Sequence, residues 1–194
     1  MRLVTCLSVS LAALSLGCAT APVPPTAPAA PEVAAAPAAP EAPALPAAPS
    51  ATATIEARSG SKVTGSVAFT ADATGKTRVV IKLAGLAPGE HGLHLHETGD
   101  CSAPDGSSAG GHWNPMSMQH GGPASPPHHA GDLGNVVADA SGNVDVTLNS
   151  TDFTLAGPMS VVHHSVVVHE KADDLKSQPS GASGARVGCG VVAQ

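Results

Sequence analysis

His91-Gly92-Leu93-His94-Leu95-His96-Glu97 is the stretch from which the rest of the chain can be read. Histidines 94 and 96 alternate with leucines 93 and 95, and in an extended strand residues two apart share a face. One face of this strand therefore carries paired imidazoles, and the other sends leucine into an opposing layer. His91 has the parity of the leucines. Alone, the His-x-His pattern is weak, because two exposed strand histidines read the same way. Short β-branched runs broken by turn residues continue on both sides of it. Strands are expected near Thr52–Arg58, Lys62–Thr70, Thr77–Leu83, His91–Glu97, Gly134–Ala140, Asn143–Asn149, Val161–Glu170 and Arg186–Val192. Ala73-Thr74-Gly75, Pro88-Gly89 and Ser141-Gly142-Asn143 supply turn chemistry between them. The pattern contains no amphipathic helix of normal length. Many short strands at this spacing make an all-β sandwich or barrel. Two long strand-poor segments interrupt it, Thr98–Asp132 and Lys171–Ala185. Loops of that length in a compact domain are usually functional.

Composition narrows the function. Of 194 residues only 12% are charged and 2% aromatic, with no Tyr, 21 Gly and 18 Pro. Coiled coils and helical bundles need long Ala/Glu/Lys/Leu/Arg-rich periodic stretches, which are missing. Nine Lys and Arg stand against 15 acids, net charge −6, with no basic cluster, so nucleic acid is excluded as a partner. The 10 histidines all fall between His91 and His169. In an acidic chain with few aromatics, that concentration points to metal.

The first 51 residues are a different material. Arg2 begins a short positive region and Leu3–Leu16 is mostly apolar, too short for a stable span, so residues 1–17 read as an export signal. Leu14-Ser15-Leu16-Gly17-Cys18 resembles the lipobox of bacterial lipoproteins, with Ser15 where a larger aliphatic residue is usual. This resemblance makes Cys18 the lipidation site, the only membrane attachment expected, and places the protein in the periplasm or cell envelope. Ordinary signal cleavage beside a chance Cys is the alternative. Residues 18–51 form the lipidated Cys and a linker. Ala19–Ser50 holds 10 Pro and 14 Ala, which prevents continuous helix and cannot build a core. Residues 52–194 are the folded domain.

Within that domain, His112, His120, His128, His129 and Asp132 fall inside 21 residues of a Gly- and Pro-rich loop. Three imidazoles and a carboxylate suit tetrahedral zinc. A loop that binds metals loosely is the alternative. Val166-Val167-Val168-His169 reads as a buried strand ending in a histidine before the charged Glu170-Lys171-Ala172-Asp173-Asp174. With Cys6 removed and Cys18 lipidated, Cys101 and Cys189 remain, an even count for an oxidising compartment. A bridge between them would close a loop of about 88 residues and contribute at most roughly 4–5 kcal/mol on the chain-entropy model.

Together these segments resemble the copper/zinc superoxide dismutase family over essentially all of Thr52–Gln194. The carrying stretches are Gly92–Asp100, Gly111-His112-Trp113-Asn114-Pro115, His120-Gly121-Gly122-Pro123, His129-Ala130-Gly131-Asp132-Leu133-Gly134-Asn135, Val167–Leu175 and Gly184–Val191. The resemblance implies an eight-stranded Greek-key β-barrel or sandwich with a metal-binding loop and an active-site loop. It implies one copper and one zinc per subunit. His94, His96, His112 and His169 would hold copper; His112, His120, His129 and Asp132 would hold zinc. His112 would bridge the metals and carry a catalytic proton. Asp173 would orient two ligands by hydrogen bonds, and Arg186 would bind the substrate, superoxide. Cys101 and Cys189 would pair. His128 competes with His129, but the His-x-Gly-Asp register favours His129. His91 corresponds to a structural histidine, and His163 and His164 to no ligand.

The implied reaction needs a metal that cycles by one electron, which zinc cannot do and copper can. A copper- or zinc-storage domain without turnover is the rival reading. It expects a lost copper ligand, Arg186 or Asp173, and all are present. The negative net charge opposes an anionic substrate, so the local field of two metals and Arg186 must outweigh distant carboxylates. Ser177–Ser183 has no charge where eukaryotic members carry steering residues. His163 and the short C-terminus depart from their dimer contact, so a homodimer would need a different interface.

Overall fold

The computed structural model describes residues 48–194. The expected signal at 1–17, Cys18 and nearly all of the linker lie outside the described residues. Eight strands follow in order: β1 (Ser50–Ala57), β2 (Thr64–Ala71), β3 (Thr77–Ala84), β4 (Gly89–His96), β5 (Asp132–Ala138), β6 (Val144–Ser150), β7 (Ser165–His169) and β8 (Arg186–Ala193). Their order across the sheet is β5-β4-β7-β8-β1-β2-β3-β6 and every pair is antiparallel. β3–β4, β5–β6 and β6–β7 cross between the halves of this sequence, the wiring of a Greek key. The sheet curls into a nearly closed barrel.

Alternation explains one half of the barrel. Ala51, Ala53 and Ile55 of β1, Val67 and Phe69 of β2, and Val79, Ile81 and Leu83 of β3 are buried. Residues between them face outward, as the period of two requires. Phe69 meets Phe153 edge to face, with ring centroids 6.1 Å apart, a favoured aromatic geometry. β4 and β7 do not alternate: Leu93–His96 and the whole of β7 are buried. Their inner side chains, Leu93, Leu95, Val166 and Val168, join the barrel core. Their outer faces are covered by loops, Val167 for instance packing with Ala109 and Cys189.

The expected strand Val161–Glu170 is shorter than the sequence suggested. Val161–His164 is a turn, with His163 at φ 71 and the His164 N–H donating to the Val161 carbonyl. Val161 is fully buried from that turn, so its apolar character reports a core plug and not a strand. The segment 98–131 is held against β4 by backbone pairing: the Leu95 N–H donates to the Gly131 carbonyl and the Trp113 N–H to the Leu95 carbonyl, both at 2.8 Å. A Cβ on Gly131 would collide with that same Leu95 carbonyl, so only glycine permits this approach. The Cys101–Cys189 disulfide, across 88 residues, fastens the other end of the segment to β8.

Candidate metal centre

Three elements present the histidines. The outer face of β4 gives His94 and His96, the end of β7 gives His169, and the loop gives His112 through a bridge pairing with His96. His94, His96, His112 and His169 form one buried group, and His112, His120, His129 and Asp132 form a second. Within each group the donor atoms lie no more than 4.8 Å apart. His112 belongs to both. His128, His163 and His164 fall in neither, and His91 is buried with its ring nitrogens against the carbonyls of His169 and Ala87 at 2.9 and 2.8 Å.

The hydrogen bonds settle which atoms face inward. His94 Nε2 meets Asp173 Oδ2 at 2.7 Å, and His120 Nε2 meets Asp173 Oδ1 at 3.0 Å. His96 Nδ1 donates to the Gly110 carbonyl at 3.0 Å, and His169 Nδ1 lies 3.4 Å from the Gly184 carbonyl. Each ring thus has one nitrogen occupied by the surrounding shell. Six buried nitrogens remain without a hydrogen bond: Nδ1 of His94, His120 and His129, and Nε2 of His96, His112 and His169. Burying an unpartnered polar atom costs free energy. Six such atoms converging in two places are disposed as metal ligands are, and in His94, His96, His112, His120 and His169 the other ring nitrogen already has a partner. In the second group the Nδ1 atoms of His112, His120 and His129 lie 2.9, 3.0 and 3.3 Å from Asp132 Oδ1. Asp132 Oδ2 accepts backbone N–H groups of Gly121 and His129, which fixes the carboxylate. The donor chemistry fits the metals that the sequence implies.

Electrostatics keep these groups in ligand form. Burial, helped by His112, pushes His94 down to about 4 despite Asp173. Burial, with His94 next in weight, pushes His169 down to about 3, and His96 is lowered well below its ordinary value by burial and His112. Burial opposes ionisation of Asp173, yet His94, the Leu175 N–H and His120 hold it at about 2. Burial likewise opposes Asp132, and His112 with the His129 and Gly121 N–H groups holds it below the usual carboxylate range. Neutral imidazoles and ionised carboxylates are the forms that bind cations.

A cavity of about 360 Å³ opens onto the first group, lined by His96, His112, His169 and Arg186. Arg186 donates to the Gly106 and Gly110 carbonyls at 2.8 and 2.7 Å, which fixes the guanidinium and leaves N–H groups to spare. Burial lowers its pKa from the ordinary arginine value.

Two amide clamps escaped the sequence reading. Gln178 Oε1 accepts the His120 N–H at 2.8 Å, and its Nε2 donates to the His120 carbonyl at 2.9 Å. Asn135 grips the Asp173 backbone in the same way at 2.7 and 2.9 Å. Neither is charged, and although Asn135 closes one of the stretches that carry the resemblance, nothing in the sequence marks its grip on Asp173.

A β-barrel that gathers two adjoining ligand groups around one shared histidine belongs to the two-metal proteins. The family described as copper/zinc superoxide dismutase matches residues 63–192. A relative named superoxide dismutase [Cu-Zn] 2, from Mesembryanthemum crystallinum, is 43% identical over 139 residues, covering 68% of this chain and 88% of its own. Another, extracellular superoxide dismutase [Cu-Zn] from Onchocerca volvulus, is 41% identical over 145 residues, 70% of this chain and 72% of its own. Among solved structures, that of the clock protein EA4 superposes with a TM-score of 0.69 at 36% identity, covering 79% of this chain and 99% of the other. The chain belongs to the copper/zinc superoxide dismutase family, as an enzyme of that class with copper and zinc as its cofactors.

Proposed function

We propose that the described domain converts two superoxide ions and two protons into O2 and H2O2. His94, His96, His112 and His169 are the copper ligands; His112, His120, His129 and Asp132 are the zinc ligands. The observation that carries this reading is His112, whose Nδ1 faces Asp132 while its Nε2 stands unpartnered toward the all-imidazole group. When bound, copper supplies a one-electron couple, and zinc, which has no redox chemistry, supplies fixed positive charge. His112 Nε2 is the atom that takes up a proton after the first superoxide is oxidised and yields it to the departing peroxide. Nδ1 stays committed to the second group, so the ring cannot swing away while it carries that proton. Asp173 bridges His94 and His120 and holds both rings in register. Arg186 binds the anion beside His96 and His169, with charge and N–H donors that its loop carbonyls do not consume.

Superoxide decay is measured on the full chain loaded with copper and zinc. Arg186→Ala should lose most of the rate with both metals retained, and Arg186→Lys should keep part of it, since charge survives and the planar fork does not. A loaded chain without turnover would leave the storage reading in place.

We place this activity outside the cytoplasm, protecting the cell envelope, with residues 1–17 as signal and Cys18 as lipid anchor. Support comes from the Arg2–Leu16 pattern, from the Leu14–Cys18 resemblance and from a disulfide of the kind that oxidising compartments sustain. The extracellular naming of the Onchocerca volvulus relative agrees.

A further inference from the structure

All three methionines among the described residues, Met116, Met118 and Met159, line one cavity of about 380 Å³ together with His128, Asp152 and Ala130. It lies outside both histidine groups. Core packing does not account for it: Met116 is 67% exposed and Met118 43%, and only Met159 packs against the core. The turn that carries the first two is pinned. Asn114 Nδ2 donates to the Met118 carbonyl at 2.8 Å, and Asn114 Oδ1 accepts the Met118 N–H at 2.9 Å. Ser117 between the methionines is held at φ 52. Met116-Ser117-Met118 is therefore a fixed support for two thioethers and not a wandering tip. His128 sets its Nδ1 against the His129 carbonyl at 3.0 Å. A carbonyl only accepts, so Nδ1 carries the hydrogen and Nε2 carries the lone pair. Histidine 128 is thereby in the tautomer of an Nε2 ligand.

Thioethers are poor ligands for hard divalent cations and good ones for Cu(I). An imidazole completes such a set, and the Asp152 carboxylate beside it offers negative charge to a monovalent cation. We propose that Met116, Met118, Met159 and His128 form a third metal site, selective for Cu(I), distinct from the two groups that share His112. The exposure of Met116 and Met118 leaves their sulfurs open to an ion arriving from outside. Met116, Met118 and His128 belong to the same loop as His112, His120 and His129, and the site shares no ligand with either group. It plays no part in dismutation, and its loss leaves turnover unchanged.

The test uses the full chain already holding one copper and one zinc. It is titrated without oxygen against Cu(I) buffered by a bicinchoninate chelator, and both metals are counted afterwards. Wild type should take up one further copper with zinc unchanged. Met116→Leu, Met118→Leu and Met159→Leu combined keep side-chain volume and remove sulfur. That variant should lose the further copper while keeping its dismutase rate and melting temperature. His128→Gln should weaken the uptake. A second measurement needs no variant: Ag(I), a redox-silent stand-in for Cu(I), should slow the oxidation of all three methionines by peroxide, read by mass spectrometry. No further copper in wild type, unchanged uptake by the triple leucine variant, or no protection of the methionines by Ag(I) would each overturn the proposal.

Discussion

The two halves of the barrel bury their residues by different rules. In β1, β2 and β3 every second side chain is inside and the outer face meets solvent. Among the described residues, the one buried polar side chain of β1, β2, β3 and β6 is Thr77, whose hydroxyl donates to the Phe153 carbonyl. In β4 and β7 both faces are buried, and nearly all the buried titratable groups lie on these strands or the loops over them. The first half is a scaffold whose stability is hydrophobic. The second exchanges part of that apolar burial for imidazoles and carboxylates grouped so that they could hold metal ions. Damage to the two halves should therefore have different signatures.

The largest effect belongs to the second half. His94→Ala and His169→Ala each remove one of the four imidazoles of the first group, and neither residue belongs to the His120–His129–Asp132 cluster. Turnover should fall to background while zinc is retained at one per chain, read by superoxide decay and metal analysis. Substantial activity in either variant would show that the all-imidazole group is not where the chemistry occurs. The counterpart in the first half is Phe69→Ala. Phe69 is fully buried against Phe153, and truncating such a side chain costs about 3–5 kcal/mol. Denaturant unfolding should show that loss, and the folded fraction should keep its specific activity and both metals. A parallel loss of activity would mean that the halves are coupled and the contrast is false.

Acid separates the halves again. His94 and His169 titrate at about 4 and 3 when folded, mainly because burial disfavours their charged forms, against roughly 6.5 when unfolded. Between those values the unfolded chain binds more protons, so stability falls as pH falls. The contribution is complete above about 6.5 and is lost progressively below it. Asp173 and Asp132 add to the loss at lower pH, because both are held ionised in the fold. The melting temperature of chelator-treated protein should therefore drop between pH 7 and pH 4, with a shallower slope in His169→Ala. A flat profile in that window would refute the burial argument.

The same contrast shows what was legible in the sequence. Alternation or short β-branched runs, with turn residues between them, mark all eight strands, because these are local properties. Val161-Val162 misled because β-branched residues plug a core from a turn as readily as from a strand. The residues gathered into the two groups are those that the family resemblance implies; spacing alone marked His94 and His96 as sharing a strand face and the loop as rich in ligands, and it did not separate His129 from His128 or raise His169 above a structural histidine. Of the partners of the occupied nitrogens, Asp173 came with the resemblance, and the backbone partners were not legible. Gly110 and Gly184 act through carbonyls that every residue possesses, and only the folded loop brings them to His96 and His169. Gln178 and Asn135 were invisible for the same reason, their targets lying 58 and 38 residues away.

Gln178 gives the smallest and most discriminating effect. The Ser177–Ser183 segment carries no charge to guide an anion, so its contribution to the site has to be mechanical. Gln178 supplies one, gripping the His120 N–H and carbonyl at once while Asp173 holds the other side of the same residue through Nε2. Each hydrogen bond of the Gln178 amide is worth about 0.5–1.5 kcal/mol, and outer partners of metal ligands typically govern about 10–100-fold in affinity. Gln178→Ala should release zinc to a competing chelator faster than wild type, by about tenfold or more, with the melting temperature of the metal-free protein nearly unchanged. Gln178→Glu should fall between them, because it still accepts the His120 N–H but can no longer donate to the carbonyl. Copper content should not move in either variant, since His120 is not in the all-imidazole group. Zinc release at the wild-type rate from Gln178→Ala would mean that Asp173 and Asp132 position His120 without help, and that this loop merely covers the centre.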